Sequence, residues 1–343
     1  MKTRGKKAMI SAVLFVAACI GLGGNWFTVT EAGAISQDDQ LRAKYKSLGE
    51  VPVPVDNPMT QDKIQLGQEL FADPRLSGNN KISCMTCHNP DLGFADQKEV
   101  AVGVGVGTRN TPTIIDTAYL KHLFMDGRVT GLEEQALVPI QNPVEMNQNL
   151  DELVKELKQV PEYRGKFKKA FQQDVSKETI AKALASFERT ITQPHTRYDQ
   201  YMAGDNQALS AQEKHGMELF AGKANCMTCH SGAMFTDEAP ENIGMNNGDS
   251  GRYMITQRAE DWGSFRTSPL RNLVYTAPYM HDGSLKTLEE VVEFYNKGEQ
   301  KDDNTSPDIK PLHLNEDEKK ALVAFLKTLS GPPVKLDAAS TKP

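Results

Sequence analysis

Apolar residues recur at helical spacing in several stretches of this chain, and polar, proline- or glycine-marked connections separate them. From Thr60 onward Ile64, Gly67, Leu70 and Phe71 share one face. Leu150, Leu153, Val154 and Leu157 form a second stripe, and Ile180, Leu184, Phe187 and Ile191 a third. Ser210-Ala-Gln-Glu213 has the spacing of a capping box and predicts a helix start there. Thr287-Leu-Glu-Glu290 opens a helix over 287–297, with Leu288, Val291, Val292 and Tyr295 on one side. A last helix runs from Asn315 to Leu329 before Gly331-Pro-Pro stops it. Strand-like alternation is scarce and short. The pattern predicts a mainly α protein.

The helical pattern repeats. Gly67-Gln-Glu-Leu-Phe71 returns as Gly216-Met-Glu-Leu-Phe220, and each copy leads into the same five residues, Cys84-Met-Thr-Cys87-His88 and Cys226-Met-Thr-Cys229-His230. C-x-x-C-H is the signature of covalent c-type haem attachment: two thiols bond the haem vinyl groups and the imidazole takes an axial position on iron. A single copy is also compatible with half of a zinc or dithiol site. Two copies, each followed directly by His, favour two haems. One motif per half implies a haem domain over 60–200 and another over 201–331. The break lies around 192–209, where Gln193-Pro-His and Ala203-Gly-Asp-Asn interrupt the pattern.

The 343 residues suffice for two domains, and 24% charged with 39% hydrophobic residues is a soluble globular composition. Residues 1–34 run from Lys2, Arg4, Lys6 and Lys7 through an apolar stretch to Ala32-Gly-Ala34, the pattern of a secretory signal. Val16-Ala-Ala-Cys19 also resembles a lipoprotein cleavage box, and an uncleaved stretch would tether the chain to a membrane. Those four cations against Glu31 give the leader +3, so the overall −6 leaves −9 on residues 35–343. An acidic body disfavours nucleic acid and suits a basic electron-transfer partner. Export suits c-type haem, and a periplasmic location follows. The haem motifs use four of five cysteines and leave only Cys19, so no structural disulfide is expected. Residues 35–59 are polar and then proline-rich, which predicts an extended arm, and 332–343 form a tail.

Gly103-Val-Gly-Val-Gly-Val-Gly107 lacks the Lys-Ser/Thr of a phosphate loop and reads as a close-packed loop near the haem. Tyr295 falls on the apolar stripe of its helix, where a core tyrosine bonded to a carbonyl is one outcome and a metal ligand another. Glu145 by itself reads as a solvated loop carboxylate.

The chain resembles, in order over about residues 60–331, the bacterial di-haem cytochrome c peroxidases and their relative MauG, which matures a tryptophan-derived quinone. The resemblance is carried by both C-x-x-C-H motifs, Thr108-Arg-Asn-Thr-Pro-Thr113, Asp126-Gly-Arg128, Leu132-Glu-Glu-Gln-Ala136, Asn142-Pro-Val-Glu-Met146, Phe187-Glu-Arg-Thr190, Leu270-Arg-Asn272 and Thr276-Ala-Pro-Tyr-Met-His-Asp-Gly283. It implies two cytochrome c-like helical domains with one covalent haem each, a calcium ion between them and hydrogen peroxide as oxidant. By motif match Glu145 is the acid/base, Gln135 the orienting amide and Pro139 a wall of the pocket. His88 and His230 are the proximal iron ligands and Tyr295 the distal ligand of the second iron, with Met280 as the alternative. Asn110, Thr276 and Pro278 would offer oxygens to calcium.

Two departures matter. No histidine lies between His88 and His122, so the glycine loop carries no gating ligand. A five-coordinate, high-spin first haem that needs no reductive activation is expected. Met125 stands where the family has Trp in F-W-D-G-R, so communication between the haems should be slower or pass through Phe124 or Tyr119. The leading expectation is a peroxidase fed by a small periplasmic cytochrome c or copper protein. A MauG-like oxidase acting on a partner protein is the alternative within the family, and a di-haem electron carrier is the alternative outside it.

Overall fold

The two glycines that the repeat singled out are the points where its helices cross. In the computed structural model, which describes residues 35–245, 247–299 and 302–336, helix Gln61–Ala72 packs across Lys177–Glu188, and Ala211–Ala221 across Glu316–Thr328. A Cβ on Gly67 would lie 2.0 Å from the Ala183 carbonyl oxygen and 2.8 Å from Phe187 Cβ. A Cβ on Gly216 would lie 2.0 Å from the Ala321 oxygen and 2.8 Å from Phe325 Cβ. Only glycine permits so close an approach of backbones. The aromatic contacts beneath are matched as well, with Phe71–Phe187 centroids 5.1 Å apart and Phe220–Phe325 5.3 Å. The repeat in sequence is a repeat in structure.

Each crossing anchors its own apolar core. Leu66, Leu70, Phe71, Leu153, Leu157, Ile180, Leu184 and Phe187 belong to one. Met217, Phe220, Phe235, Leu288, Val292, Leu322 and Phe325 belong to the other. A fully buried Leu or Phe contributes about 1.5–3 kcal/mol relative to exposure, so these clusters are the main source of stability. Among the described residues the strands are two-residue pairs, His122–Leu123 with Val129–Thr130 and Pro240–Glu241 with Phe265–Arg266. The protein is mainly helical, as its periodicity predicts.

The predicted caps are formed. Ser210 Oγ accepts from the Glu213 N–H at 3.3 Å while Glu213 accepts from the Ser210 N–H at 2.8 Å, and Thr287 with Glu290 opens helix Leu288–Lys297 in the same way. Some segments differ from the expectation. In the first helix Leu66 is buried while Ile64 is half-buried, because the stripe is centred on the Gly67 crossing. The 35–59 segment is helical over Gln37–Arg42 and sends Leu41 and Tyr45 into the second core, where the Tyr45 hydroxyl donates to the Met217 carbonyl at 2.5 Å. Within 192–209 a short helix, Arg197–Met202, fully buries Tyr198 and Tyr201. Val334 and Leu336, from the C-terminal tail, pack on the first core. The leader, with Cys19, lies outside the described residues. Among those residues no helix is long and apolar enough to cross a membrane.

Candidate active site

Both C-x-x-C-H segments form one tight turn after the crossing helix. The His88 N–H donates to the Cys84 carbonyl at 2.8 Å, and His230 N–H to Cys226 at 2.9 Å. In each case the ring Nδ1 bonds a phenylalanine carbonyl held in the left-handed region. His88 bonds Phe94 at 3.1 Å (φ 56°), and His230 bonds Phe235 at 2.9 Å (φ 55°). Burial lowers both imidazole pKa values and favours the neutral form, the Phe94 and Phe235 carbonyls pulling the other way. A neutral imidazole with Nδ1–H given to a carbonyl presents Nε2 as a metal ligand. Burial also pushes all four thiols up, Cys87 and Cys229 to about 11. Thiols so raised make poor dithiol-exchange nucleophiles, and none of the four is in a disulfide.

In the first half this turn is one wall of a cleft open to solvent. Cys84, Cys87 and His88 line it together with Gln135, Pro139 and Glu145, so residues spread over some sixty positions meet at one cavity. Gln135 ends helix Leu132–Gln135 and Pro139 lies in Leu137–Gln141. The turn after that helix carries Glu145. Its Oε1 accepts from the Asn142 amide at 2.6 Å, and burial raises its pKa against that hydrogen bond and the charge of Arg128. The glycine loop closes onto it: the Val104 N–H donates to the Glu145 carbonyl at 2.8 Å and the Gly105 N–H to Val144 at 2.9 Å. A Cβ on Gly103 would come within 2.3 Å of the Glu145 carbonyl oxygen. The cleft thus combines an imidazole with its Nε2 free among the described residues, two cysteine thiols, an amide and a carboxyl of raised pKa, a set that suits haem with acid–base chemistry beside it.

In the second half Tyr295 projects from Leu288–Lys297 toward Cys226 and Cys229. Burial and the proximity of those thiols raise its phenol pKa. Among the described residues its hydroxyl has no hydrogen-bond partner. Met280, the other candidate, sits in the turn bracketed by the Tyr279–Leu285 pair, with φ 75°. Asn110 is brought to the same region through its N–H, which donates to the His281 carbonyl at 2.7 Å, while its side-chain amide donates to Lys98. Met125 is clasped between the halves, its carbonyl accepting from the Arg266 N–H at 2.7 Å. Arg109 beside it bonds both Asp126 (2.8 Å) and Asp249 (2.7 Å).

A family model described as di-haem cytochrome c peroxidase matches residues 61–207. The chain is 39% identical over 336 residues to the methylamine utilization protein MauG of Methylorubrum extorquens, covering 94% of this chain and 95% of that one. The chain belongs to the di-haem cytochrome c peroxidase and MauG family. As a member of this family it is an oxidoreductase of the cytochrome-c peroxidase type, and membership implies two haem c groups. It is also 39% identical over 342 residues to cytochrome-c peroxidase IdrP1 of Denitromonas iodatirespirans, covering 88% and 90% of the two chains. The solved structure of a MauG-like protein associated with microbial copper homeostasis matches with a TM-score of 0.78 at 33% identity, covering 84% of this chain and 94% of that one.

Sequence reasoning gave no role to two contributors to the first cleft, Asn142 and Glu188, while the glycine loop it read as close-packed does pack on this cavity through Gly103. Asn142 holds the Glu145 carboxyl, Gly103 admits its backbone, and Glu188 lines the same cavity. Asn142 and Gly103 carry no periodic signal. Glu188 stands out only when the two crossing helices are aligned.

Proposed function

We propose that this chain reduces hydrogen peroxide to water at the first-half cleft, with electrons entering through the second half from a small periplasmic redox protein. The observation that carries the reading is the convergence of Glu145, Gln135 and Pro139 on the cavity of His88, Cys84 and Cys87. An electron carrier has no use for such a polar pocket. Haem held by each C-x-x-C-H turn supplies the redox chemistry. Glu145 takes the proton from one peroxide oxygen and delivers it to the other, making that oxygen a better leaving group. The Gln135 amide donates to the departing oxygen as charge develops on it, and Pro139 keeps bulk water from the pocket. The raised pKa of Glu145 suits a group that must both accept and return a proton.

The haem domains span 60–200 and 201–331, the leader directs export, and Asn110, Thr276 and Pro278 offer oxygens to a calcium ion near the junction. Steady-state oxidation of reduced cytochrome c by peroxide tests the reading. Glu145→Gln should lower kcat/KM by about 10²–10⁴ and Gln135→Ala by about 10²–10³. Wild-type turnover in both variants would remove the assignment.

Tyr295 favours a second reading. A phenol set beside Cys226 and Cys229 is placed to bind the second iron, whose charge would have to offset the burial that raises the phenol pKa; as tyrosinate it would lower the potential and favour MauG-like oxidation of a partner protein. Tyr295→Phe should change the absorption spectrum of the second haem. An unchanged spectrum would count against ligation.

A further inference from the structure

The duplicated frame makes positions in the two halves comparable. Gly67 meets Ala183 and Phe187 as Gly216 meets Ala321 and Phe325, so the residue after each phenylalanine holds the same place on its helix. In the second half that residue is Leu326, part of the apolar core. In the first it is Glu188, only 6% exposed, and it lines the cavity shared by His88, Gln135 and Glu145. Among the described residues its carboxyl has no hydrogen-bond or ion-pair partner, and its oxygens open onto the cavity rather than being sealed in the core. The neighbouring Arg189 turns to Glu133 instead, at 2.7 and 2.8 Å.

A buried carboxyl with no partner is costly, and where its twin position is a leucine the fold itself does not require it. Burial pushes Glu188 up to about 8, with Arg189 drawing it down and Glu133 adding to the rise. Few other charges face it. The Cys84 thiol on the same cavity also faces it, and would become a thioether on haem attachment. Helix Leu150–Gln159 presents Leu153 and Leu157, helix Leu132–Gln135 presents Glu133, and Glu145 lies on the cavity wall.

We propose that Glu188 is the redox-linked proton acceptor of the first haem cavity, gaining one proton when the haem there takes up an electron and releasing it when the electron leaves. The inference rests on haem occupying this cavity, and not on peroxide turnover. In the reductive direction one electron from the donor and one proton from water convert oxidised haem plus Glu188 carboxylate into reduced haem plus Glu188 carboxylic acid. Positive charge on the oxidised haem favours the carboxylate, and its loss favours the acid. Peroxide reduction consumes two protons with two electrons, and Glu188 would bring a proton in with an electron, whereas Glu145 moves one between peroxide oxygens.

The test is a spectroelectrochemical titration of the holoenzyme from about pH 6 to about pH 9, in which the first haem's midpoint should fall by up to about 59 mV per tenfold drop in proton concentration. Glu188→Gln and Glu188→Leu should flatten that slope, the leucine reproducing the twin. The second haem, with Leu326 at the matching place, should keep its own slope throughout and so reports whatever haem propionates contribute. A wild-type slope at the first haem no steeper than at the second, or one that survives both variants, overturns the proposal. So does a slope lost in Glu145→Gln but kept in Glu188→Gln, which would assign the proton to Glu145. Failure of the peroxidase reading is separate: peroxide would go unreduced while the slope remained.

Discussion

The Glu145 carboxyl is aimed by backbone contacts as much as by its own hydrogen bond. Its carbonyl accepts from the glycine loop, and Gly103 approaches so closely that a methyl group would overlap the Glu145 oxygen. Gly103→Ala should therefore move the carboxyl and lower kcat/KM by about 10²-fold, the usual cost of misplacing a catalytic group by an ångström, at unchanged haem content. The pH profile follows from the direction of the Glu145 shift. Burial raises its pKa, so the carboxyl is protonated, and unable to act as base, below a pH above the ordinary range of about 4.3. Activity should fall on the acid side with a midpoint above that value, and this limb should be missing from the residual activity of Glu145→Gln. An acid limb at or below about pH 4.3 would contradict the raised value.

At the scale of elements, the stability of each half depends on a helix crossing that admits no side chain. Gly67→Ala and Gly216→Ala each force a methyl group into a neighbouring carbonyl, and either the helices part or the backbone shifts. Over-packing of this kind costs roughly 1–3 kcal/mol, read as a lower Tm by calorimetry on the holoprotein. An unchanged Tm in both variants would mean that the crossings relax freely. The helices themselves were legible: the stripes at 150–157 and 287–297 and the Ser210 box lie in the helices they predict. Less legible was Arg197–Met202, too short for periodicity to register. It is held by tertiary contacts, with the Tyr198 hydroxyl on the Lys46 carbonyl at 2.7 Å and Asp199 paired with Arg271 at 2.8 Å.

For the whole molecule, the acidic body implies a long-range field. With −9 on residues 35–343, a basic donor should be steered to the surface at low salt. The KM for such a donor should rise steeply as ionic strength increases toward about 0.15 M, where the screening length is about 8 Å. A KM independent of salt would point to an uncharged docking surface. The junction between the halves is built from polar groups distant in sequence. Asp116 accepts from the Gln193 N–H at 2.8 Å and the Asn272 amide at 3.1 Å, and Arg109 joins Asp126 to Asp249. Met125 lies within this junction, so Met125→Trp, by restoring an aromatic station there, should speed electron equilibration between the haems in flash-reduction experiments.

The order of residues by itself determined the helical class, the duplication and the two C-x-x-C-H turns, because periodicity, capping and motif spacing are local and survive without a fold. It also carried the family pattern that picked out Glu145, Gln135 and Tyr295. Only the tertiary structure decided that Gln135, Pro139 and Glu145 share one cavity with His88, and that Gly103 sets the Glu145 backbone. Only there does Glu188 turn from one more charge in Phe187-Glu-Arg-Thr190 into a carboxyl without a partner. Burial and the loss of water decide the behaviour of a charged group, and both depend on neighbours that the linear chain keeps far apart.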